Sequence, residues 1–169
     1  MVLIAVLAEN LYDTRELWYP TIRMKEAGHT VHIVGSGSAS QFQSKDGVVV
    51  KPDMNVQDVN PDQYDAVIIP GGFSPDYMRR VPEMVEFVKN IGRSGTKPVA
   101  AICHGGWMLI SAKLIKGRKV TSYFSIKDDM MNAGATWVDK PVVVDGNIIT
   151  SRNPDDLPNF CQEILKQLN

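Results

Sequence analysis

Cysteine, histidine and net charge are all scarce in this sequence. Two cysteines among 169 residues do not suggest a disulfide framework, and three histidines without paired Cys or His spacing give no metal-ligand motif. A formal net charge of −1 offers no electrostatic basis for binding nucleic acid. The apolar run at residues 2–8 has no basic flank and is too short for a signal or membrane helix. We therefore expect a cytoplasmic protein with no metal, no other cofactor, and neither nucleic acid nor membrane as a partner.

Glycine is absent from the segment that follows this first apolar run. None occurs between Ala8 and Tyr19, whereas a nucleotide-binding loop at this place needs glycines that let backbone N–H groups approach phosphate. A flavodoxin-like nucleotide binder is therefore a weak candidate function.

Short β-rich runs alternate with helical patterns along the chain. Four continuous apolar runs predict strands buried on both faces, as in a parallel sheet: Val2–Leu7, Thr30–Val34, Ala66–Ile69 and Val99–Ile102. Helices are predicted over Arg15–Ala27, which includes Pro20, over Pro82–Ile91, over Trp107–Leu114 and from Asn153-Pro154 to the C-terminus. The length of 169 residues fits a single domain, 1–169.

Two segments depart from this alternation. Asp-Gly pairs lie between β-rich runs at Lys45-Asp46-Gly47 and at Asp145-Gly146, and both predict β-hairpins. The predicted fold class is therefore α/β: a doubly wound, mostly parallel, flavodoxin-like sheet with helices on both faces, added β-hairpins and a three-layer sandwich architecture.

The end of the fourth predicted strand carries the clearest chemical signal. The apolar run stops at Cys103-His104-Gly105-Gly106 and then resumes as a helix, which places Cys103 at a sharp strand-to-helix turn like the nucleophile elbow of hydrolases. The following helix favours a thiolate over a thiol. The alternative is a cysteine buried for packing, and Cys161 fits that description within an apolar stripe of the last helix.

Residues at other strand ends suit a cysteine nucleophile. His104 can be its general base if the turn brings the imidazole beside the thiol. Gly71 and Gly72, after the third strand, can offer backbone N–H groups to an oxyanion, and Glu16 can point from the first helix toward the same edge. Each has a plain alternative: a turn histidine, an ordinary loop and a solvated glutamate. His29 and His32 flank a strand and are assigned to structure.

Over essentially its whole length the sequence resembles the PfpI-like family of intracellular cysteine proteases and deglycases. This family is part of the superfamily that includes the Parkinsonism-associated deglycase and class I glutamine amidotransferase-like domains. The residues that carry the resemblance are Glu16-Leu17-Trp18-Tyr19-Pro20, Asp65–Gly72, Lys97–Gly105, Gly117–Tyr123, Ile126–Gly134, Val143–Asn147 and Thr150-Ser151-Arg152.

The resemblance implies a role for each matching residue. Cys103 matches the nucleophile, His104 the adjacent histidine, and Glu16 the glutamate that hydrogen-bonds the sulfur, for which we expect a raised pKa. Gly71 and Gly72, with the His104 amide, match the oxyanion donors, and Tyr123 matches a tyrosine of the pocket.

Two positions differ from the family pattern. Asp76 stands where the family has a glutamate that a neighbouring subunit of a homo-oligomer, dimer to hexamer, supplies as third triad member, and it is one methylene shorter. Trp107 ends a Gly-Gly-Trp sequence in place of Gly-Pro-Gln. We expect Trp107 to pack in the core rather than to reshape the pocket floor.

The predicted function is a cysteine hydrolase acting through a Cys103 thiolate. Its substrates would be short peptides, glycated amines or small α-oxoaldehydes, which makes it a peptidase, a deglycase or a cofactor-independent glyoxalase. The alternative is a non-enzymatic redox or stress sensor, or a chaperone, in which Cys103 is oxidised. His104 beside the nucleophile favours the enzyme, because a sensor requires no general base.

Overall fold

The computed structural model describes all 169 residues, and its centre is a seven-stranded sheet. The strands of the chain are β1 (Leu3–Ala8), β2 (Thr30–Gly35), β3 (Phe42–Gln43), β4 (Val49–Val50), β5 (Met54–Asn55), β6 (Ala66–Ile69), β7 (Val99–Ile102), β8 (Lys119–Val120), β9 (Thr136–Trp137), β10 (Val142–Asp145) and β11 (Ile148–Ser151). The sheet order is β10-β11-β7-β6-β1-β2-β5. All neighbours in it are parallel except β10 and β11. The run β2-β1-β6-β7-β11 has the strand order of flavodoxin-like sheets, which confirms the predicted fold class.

Helices cover both faces of the sheet. They are α1 (Thr14–Glu26), α2 (Ser74–Met78), α3 (Pro82–Arg93), α4 (Gly106–Ser111), α5 (Lys127–Asn132) and α6 (Leu157–Leu168). Side chains of α1 and α6 pack with one face of the sheet in one core cluster, and those of α3, α4 and α5 pack with the other face in a second cluster. The three-layer prediction is therefore confirmed. The helix α1 continues through Pro20, while α4 ends before the predicted Leu114 because Lys113 takes a φ of +58°.

Both predicted hairpins are present, with turns that differ from a simple Asp-Gly pair. In the first, Gln43 pairs with Val49, so the loop between them is long enough to fold back toward α1. In the second, Asp145 pairs with Ile148, so the two turn residues are Gly146 and Asn147. Gly146 has a φ of +59°, the conformation that the first residue of a II′ turn requires. The parallel pair β8 and β9 was not predicted, because two-residue strands show no periodicity.

The topology brings three strand ends together. The strands β1, β6 and β7 are neighbours in the centre of the sheet, and their carboxyl ends share one edge, where ligands bind in open parallel sheets. The segments that follow them carry Asp13, Gly71, Gly72 and Cys103. None of the helices has the length and hydropathy that a membrane crossing requires.

Candidate active site

Cys103 occupies a strained turn at the end of β7. Its φ is +60°, a conformation that non-glycine residues rarely adopt. The turn packs tightly against β6. A Cβ on Gly105 would stand 2.7 Å from the carbonyl oxygen of Ile69, so a glycine is needed there. Cys103 is 8% exposed, and the backbone N–H groups of His104 and Gly72 lie near its Sγ. This is the sharp strand-to-helix turn that the sequence predicts; the role of Cys103 as nucleophile stays a prediction.

Glu16 reaches the cysteine from the first turn of α1. Asp13 starts that helix by accepting hydrogen bonds from the N–H groups of Arg15 and Glu16, and this cap fixes the direction in which the glutamate points. The Glu16 side chain is fully buried and lies beside the Cys103 side chain, since both would crowd a Cβ on Gly71. Its Oε2 accepts the N–H of Gly71 at 2.7 Å, while its Oε1 has no hydrogen-bond partner.

The carboxyl group of Glu16 is mostly protonated at neutral pH. Burial in the first place, and the nearby negative charge of Asp13 in the second, raise its pKa to about 8, because an apolar environment penalises the charged form. The expectation of a raised pKa is confirmed. A protonated carboxyl can donate a hydrogen bond to sulfur, which a carboxylate cannot.

Two expectations for this site are wrong. Gly71 is not a free oxyanion donor, because its N–H is bound to Glu16; it is needed for space, since a Cβ there would lie 2.6 Å from Glu16 Oε2 and 2.8 Å from Cys103 Cβ. Nor is a thiolate favoured in the resting protein: burial raises the pKa of the Cys103 thiol by more than the N–H groups of His104 and Gly72 lower it. The helix α4 is short and begins after a 3₁₀ turn, so its dipole offsets little of the rise in the thiol pKa that burial causes.

His104 lies beside the thiol although it is the next residue in the chain. Its Nδ1 is 3.3 Å from Cys103 Sγ, and its Nε2 is 3.2 Å from the hydroxyl oxygen of Ser125. The ring stacks on Tyr123 with centroids 5.1 Å apart. Burial, followed by the positive charge of Lys45, lowers the pKa of His104. The imidazole is therefore neutral at neutral pH and available as a base.

Asp76 lies away from this cluster within the chain. It belongs to the short helix α2, and its carboxylate pairs with Arg80. A role for Asp76 from a neighbouring subunit therefore stays a prediction. Trp107 packs against the core but is only half-buried. It presents its ring edge to His104 at 5.2 Å, and its indole N–H donates to Asp129 at 2.8 Å.

The cleft above the thiol has a volume of about 380 Å³. Five of its lining residues are site candidates from the sequence: Glu16, Gly72, Cys103, His104 and Tyr123. The sequence does not indicate the charged group at the mouth, which consists of Asp13, Arg15 and Lys45. The Lys45 ammonium lies 3.1 Å from Asp13 Oδ2, and Arg15 binds the same oxygen at 3.4 Å. The sequence predicts a hairpin turn at Lys45, and no local pattern indicates that the loop folds back. The backbone N–H of Lys45 donates to Tyr12 O at 3.0 Å, which holds it there.

Known proteins resemble this chain over almost its full length. It is 46% identical over 165 residues to the protein named deglycase PfpI of Pyrococcus furiosus, covering 98% of each chain. It is 44% identical to general stress protein 18 of Bacillus subtilis, covering 98% of this chain and 96% of the relative.

Solved structures give the same result. The DJ-1beta structure of Drosophila melanogaster superposes with a TM-score of 0.92 at 28% identity, covering 99% of this chain and 90% of that one. A two-domain protein of Anabaena variabilis with DJ-1/ThiJ/PfpI-like and ferritin-like domains superposes with a TM-score of 0.96 at 40% identity; this chain spans 48% of its length. A profile of the DJ-1/PfpI family matches residues 2–167, and the chain belongs to the DJ-1/PfpI family.

Proposed function

We propose that this protein is a cysteine-dependent deglycase that acts on α-oxoaldehydes and on their adducts with amines. One observation carries the proposal: Cys103 Sγ meets a neutral imidazole at 3.3 Å, the buried carboxyl of Glu16 and two backbone N–H groups in one small cleft. These are the groups that attack on a carbonyl carbon needs. Several relatives at 43–46% identity are named deglycases, which supports the same reaction here.

The first step follows from the protonation states. The thiol transfers its proton to His104 Nδ1 as Sγ bonds to the aldehyde carbon, and the electron pair of the C=O bond moves to oxygen. Gly72 and His104 then offer their N–H groups to that oxygen, where charge develops. The proton returns from the imidazole to the oxygen, which completes a hemithioacetal. Protonated Glu16 stabilises the sulfur by donating a hydrogen bond while the thiolate exists.

The second step moves hydrogen within the bound molecule. A base removes the proton from the former aldehyde carbon, and the neighbouring carbonyl carbon receives a proton, which leaves a thioester next to an alcohol. Water then cleaves the thioester and releases a hydroxy acid and the free thiol. The aldehyde carbon is oxidised and the ketone carbon is reduced, so the reaction needs no external oxidant or reductant. His104 is the group placed to carry these protons.

The cleft size separates this function from peptide hydrolysis. A volume of about 380 Å³ is at the small end of ligand sites, and it suits a three-carbon carbonyl compound or a glycated side chain better than an extended peptide. The alternative of a redox sensor uses the same thiol. It requires peroxide to reach Cys103 but gives no reason for His104 at hydrogen-bond distance.

The test measures lactate formation from methylglyoxal, together with release of amine from a methylglyoxal-treated amino acid. We expect activity in the native protein, loss to background in Cys103→Ala, and full activity in Cys161→Ala, a matched control in which the other buried cysteine is truncated. A fluorogenic short peptide is run beside them. Cysteine-dependent cleavage of the peptide alone would establish the peptidase instead. If no variant turned over any substrate while Cys103 oxidised readily with peroxide, the sensor would replace the enzyme.

A further inference from the structure

We propose that Ser125 is a positioning residue that holds His104 in the tautomer with its proton on Nε2, and that it takes within one chain the place expected for Asp76 from a neighbouring subunit. The inference rests on the proposed role of His104 as base for Cys103. It concerns a residue outside every motif considered above, and it makes the nucleophile, the base and the group that orients the base parts of a single chain.

The two ring nitrogens of His104 have different partners on opposite sides. Nδ1 faces Cys103 Sγ at 3.3 Å, and Nε2 faces Ser125 Oγ at 3.2 Å. The ring between them is held by aromatic neighbours: Tyr123 stacks on it with an interplanar angle of 29°, and Trp107 meets it edge-on at 73°. These contacts oppose a ring flip, so each nitrogen keeps its own partner.

The chemistry of the pair selects one tautomer. Nδ1 can accept the thiol proton only while it carries none itself, so the single proton of the neutral ring must lie on Nε2. A hydroxyl oxygen accepts a hydrogen bond from Nε2–H in this neutral state, and it still accepts one after Nδ1 has become protonated. Ser125 therefore favours the competent ring before the proton transfer and stabilises the imidazolium after it.

No carboxylate occupies this position in the chain. Asp129 acts on His104 through its charge, but its carboxylate accepts the indole N–H of Trp107 at 2.8 Å. Asp76 pairs with Arg80. The other charged or titratable groups around the ring are Lys45, which acts through its charge, Cys103 and the phenol of Tyr123. The Ser125 hydroxyl is therefore the side chain that receives Nε2.

Ser125 is exposed, yet its backbone is fixed. It is the middle residue of a 3₁₀ turn, Phe124–Ile126, which is closed by a hydrogen bond from the Ile126 N–H to Tyr123 O at 3.2 Å. The turn is anchored at one end by the buried Ile126 and at the other by the Tyr123 N–H, which donates to Cys103 O at 3.3 Å. The segment that holds the hydroxyl is thus tied to the nucleophile itself.

The direct test observes the tautomer. Long-range proton–nitrogen NMR of the three histidine rings distinguishes a protonated from an unprotonated nitrogen, and His104→Gln identifies the His104 signals. We expect Nε2–H alone in the native protein, a mixture of both tautomers in Ser125→Ala, and a return to Nε2–H in Ser125→Thr, which restores a hydroxyl. Ser40→Ala is the matched control, because Ser40 is an exposed serine outside the site.

Kinetics supplies a second reading. Loss of one neutral hydrogen bond should lower kcat for lactate formation about fivefold in Ser125→Ala with KM unchanged, and Ser125→Thr should recover most of it. A tautomer unchanged in Ser125→Ala overturns the proposal, as does a tautomer that depends on Asp76→Asn instead. If the native protein forms no lactate while Ser125→Ala still shifts the tautomer, the proposed function fails and the positioning role of Ser125 stands.

Discussion

The two cysteines of this protein share burial and differ in their neighbours. Cys103 is 8% exposed and Cys161 is 1% exposed, and burial raises the pKa of both thiols, that of Cys161 to about 12. Cys161 lies in the regular helix α6 within an apolar cluster. Cys103 has a left-handed backbone and a base, an acid and two N–H groups around its sulfur.

This comparison shows that low exposure and a raised pKa do not identify a structural cysteine. The resting state of Cys103 is a thiol, like that of Cys161. What Cys103 has in addition is a route for its proton, because His104 Nδ1 lies at 3.3 Å. In the proposed mechanism, activation of Cys103 therefore depends on proton transfer during the reaction rather than on a thiolate that exists beforehand.

The largest expected difference between the two cysteines is in alkylation. We expect iodoacetamide to modify Cys103 at least about a hundredfold faster than Cys161 in the folded protein, because only Cys103 has a base in contact and an opening to solvent. Mass spectrometry of peptides from partially modified protein gives both rates. His104→Gln should slow the Cys103 reaction and leave Cys161 unchanged. Equal rates for the two cysteines in the native protein would contradict this account.

A second large effect concerns Glu16 and the dependence of stability on pH. The pKa of Glu16 is about 8 in the fold against an ordinary value of 4.5. A pKa raised by folding gives stability that is fully present below the unfolded value and is lost as pH rises through the folded value. The free energy of unfolding of the native protein should therefore fall, relative to Glu16→Gln, between pH values of about 4.5 and about 8, by on the order of a few kcal/mol.

Urea titrations of both proteins across this range measure the difference. Glutamine mimics the protonated carboxyl: its amide oxygen can accept the N–H of Gly71 and its NH₂ can donate to sulfur. The lowered pKa of His104 acts in the opposite direction, but it is common to both proteins and largely cancels in the comparison. If the free energy of unfolding had the same pH dependence in both proteins, the pKa of Glu16 would not be raised by folding. Glu16 would then be ionised at neutral pH and could not donate the proposed hydrogen bond to the thiolate.

The parts of the site that the sequence predicts are those set by backbone geometry at strand ends. Cys103, Gly72 and Glu16 follow or face the carboxyl ends of β7, β6 and β1, and the order of a flavodoxin-like sheet places those ends side by side. The apolar runs and the Cys-His-Gly-Gly turn reveal this arrangement because strand burial and tight turns leave local patterns.

The parts that sequence reasoning missed depend on contacts between distant segments. Lys45 enters the site because a hairpin loop folds back onto Tyr12, and Ser125 enters because a 3₁₀ turn is tied to Cys103 through Tyr123. Neither loop has a periodic pattern. The sequence predicts that Gly71 lies at the site but not which group its N–H binds. That N–H could donate to a bound oxyanion or to Glu16, and only the packing of Glu16 decides between the two acceptors.

The smallest expected effect sharpens the comparison through the cation near each cysteine. Arg23 acts on Cys161, and Lys45 acts on the groups around Cys103: its positive charge lowers the pKa values of Glu16 and His104. In Lys45→Met we therefore expect both pKa values to rise, which leaves less neutral imidazole near neutral pH. The loss of lactate formation at pH 7 should be about twofold, and it should diminish as pH increases, since a partly exposed charge is well screened. Lys51→Met is the matched control, because Lys51 is an exposed lysine at the far end of the same hairpin. An NMR titration of His104 that is identical in both variants would remove Lys45 from the electrostatics of the site.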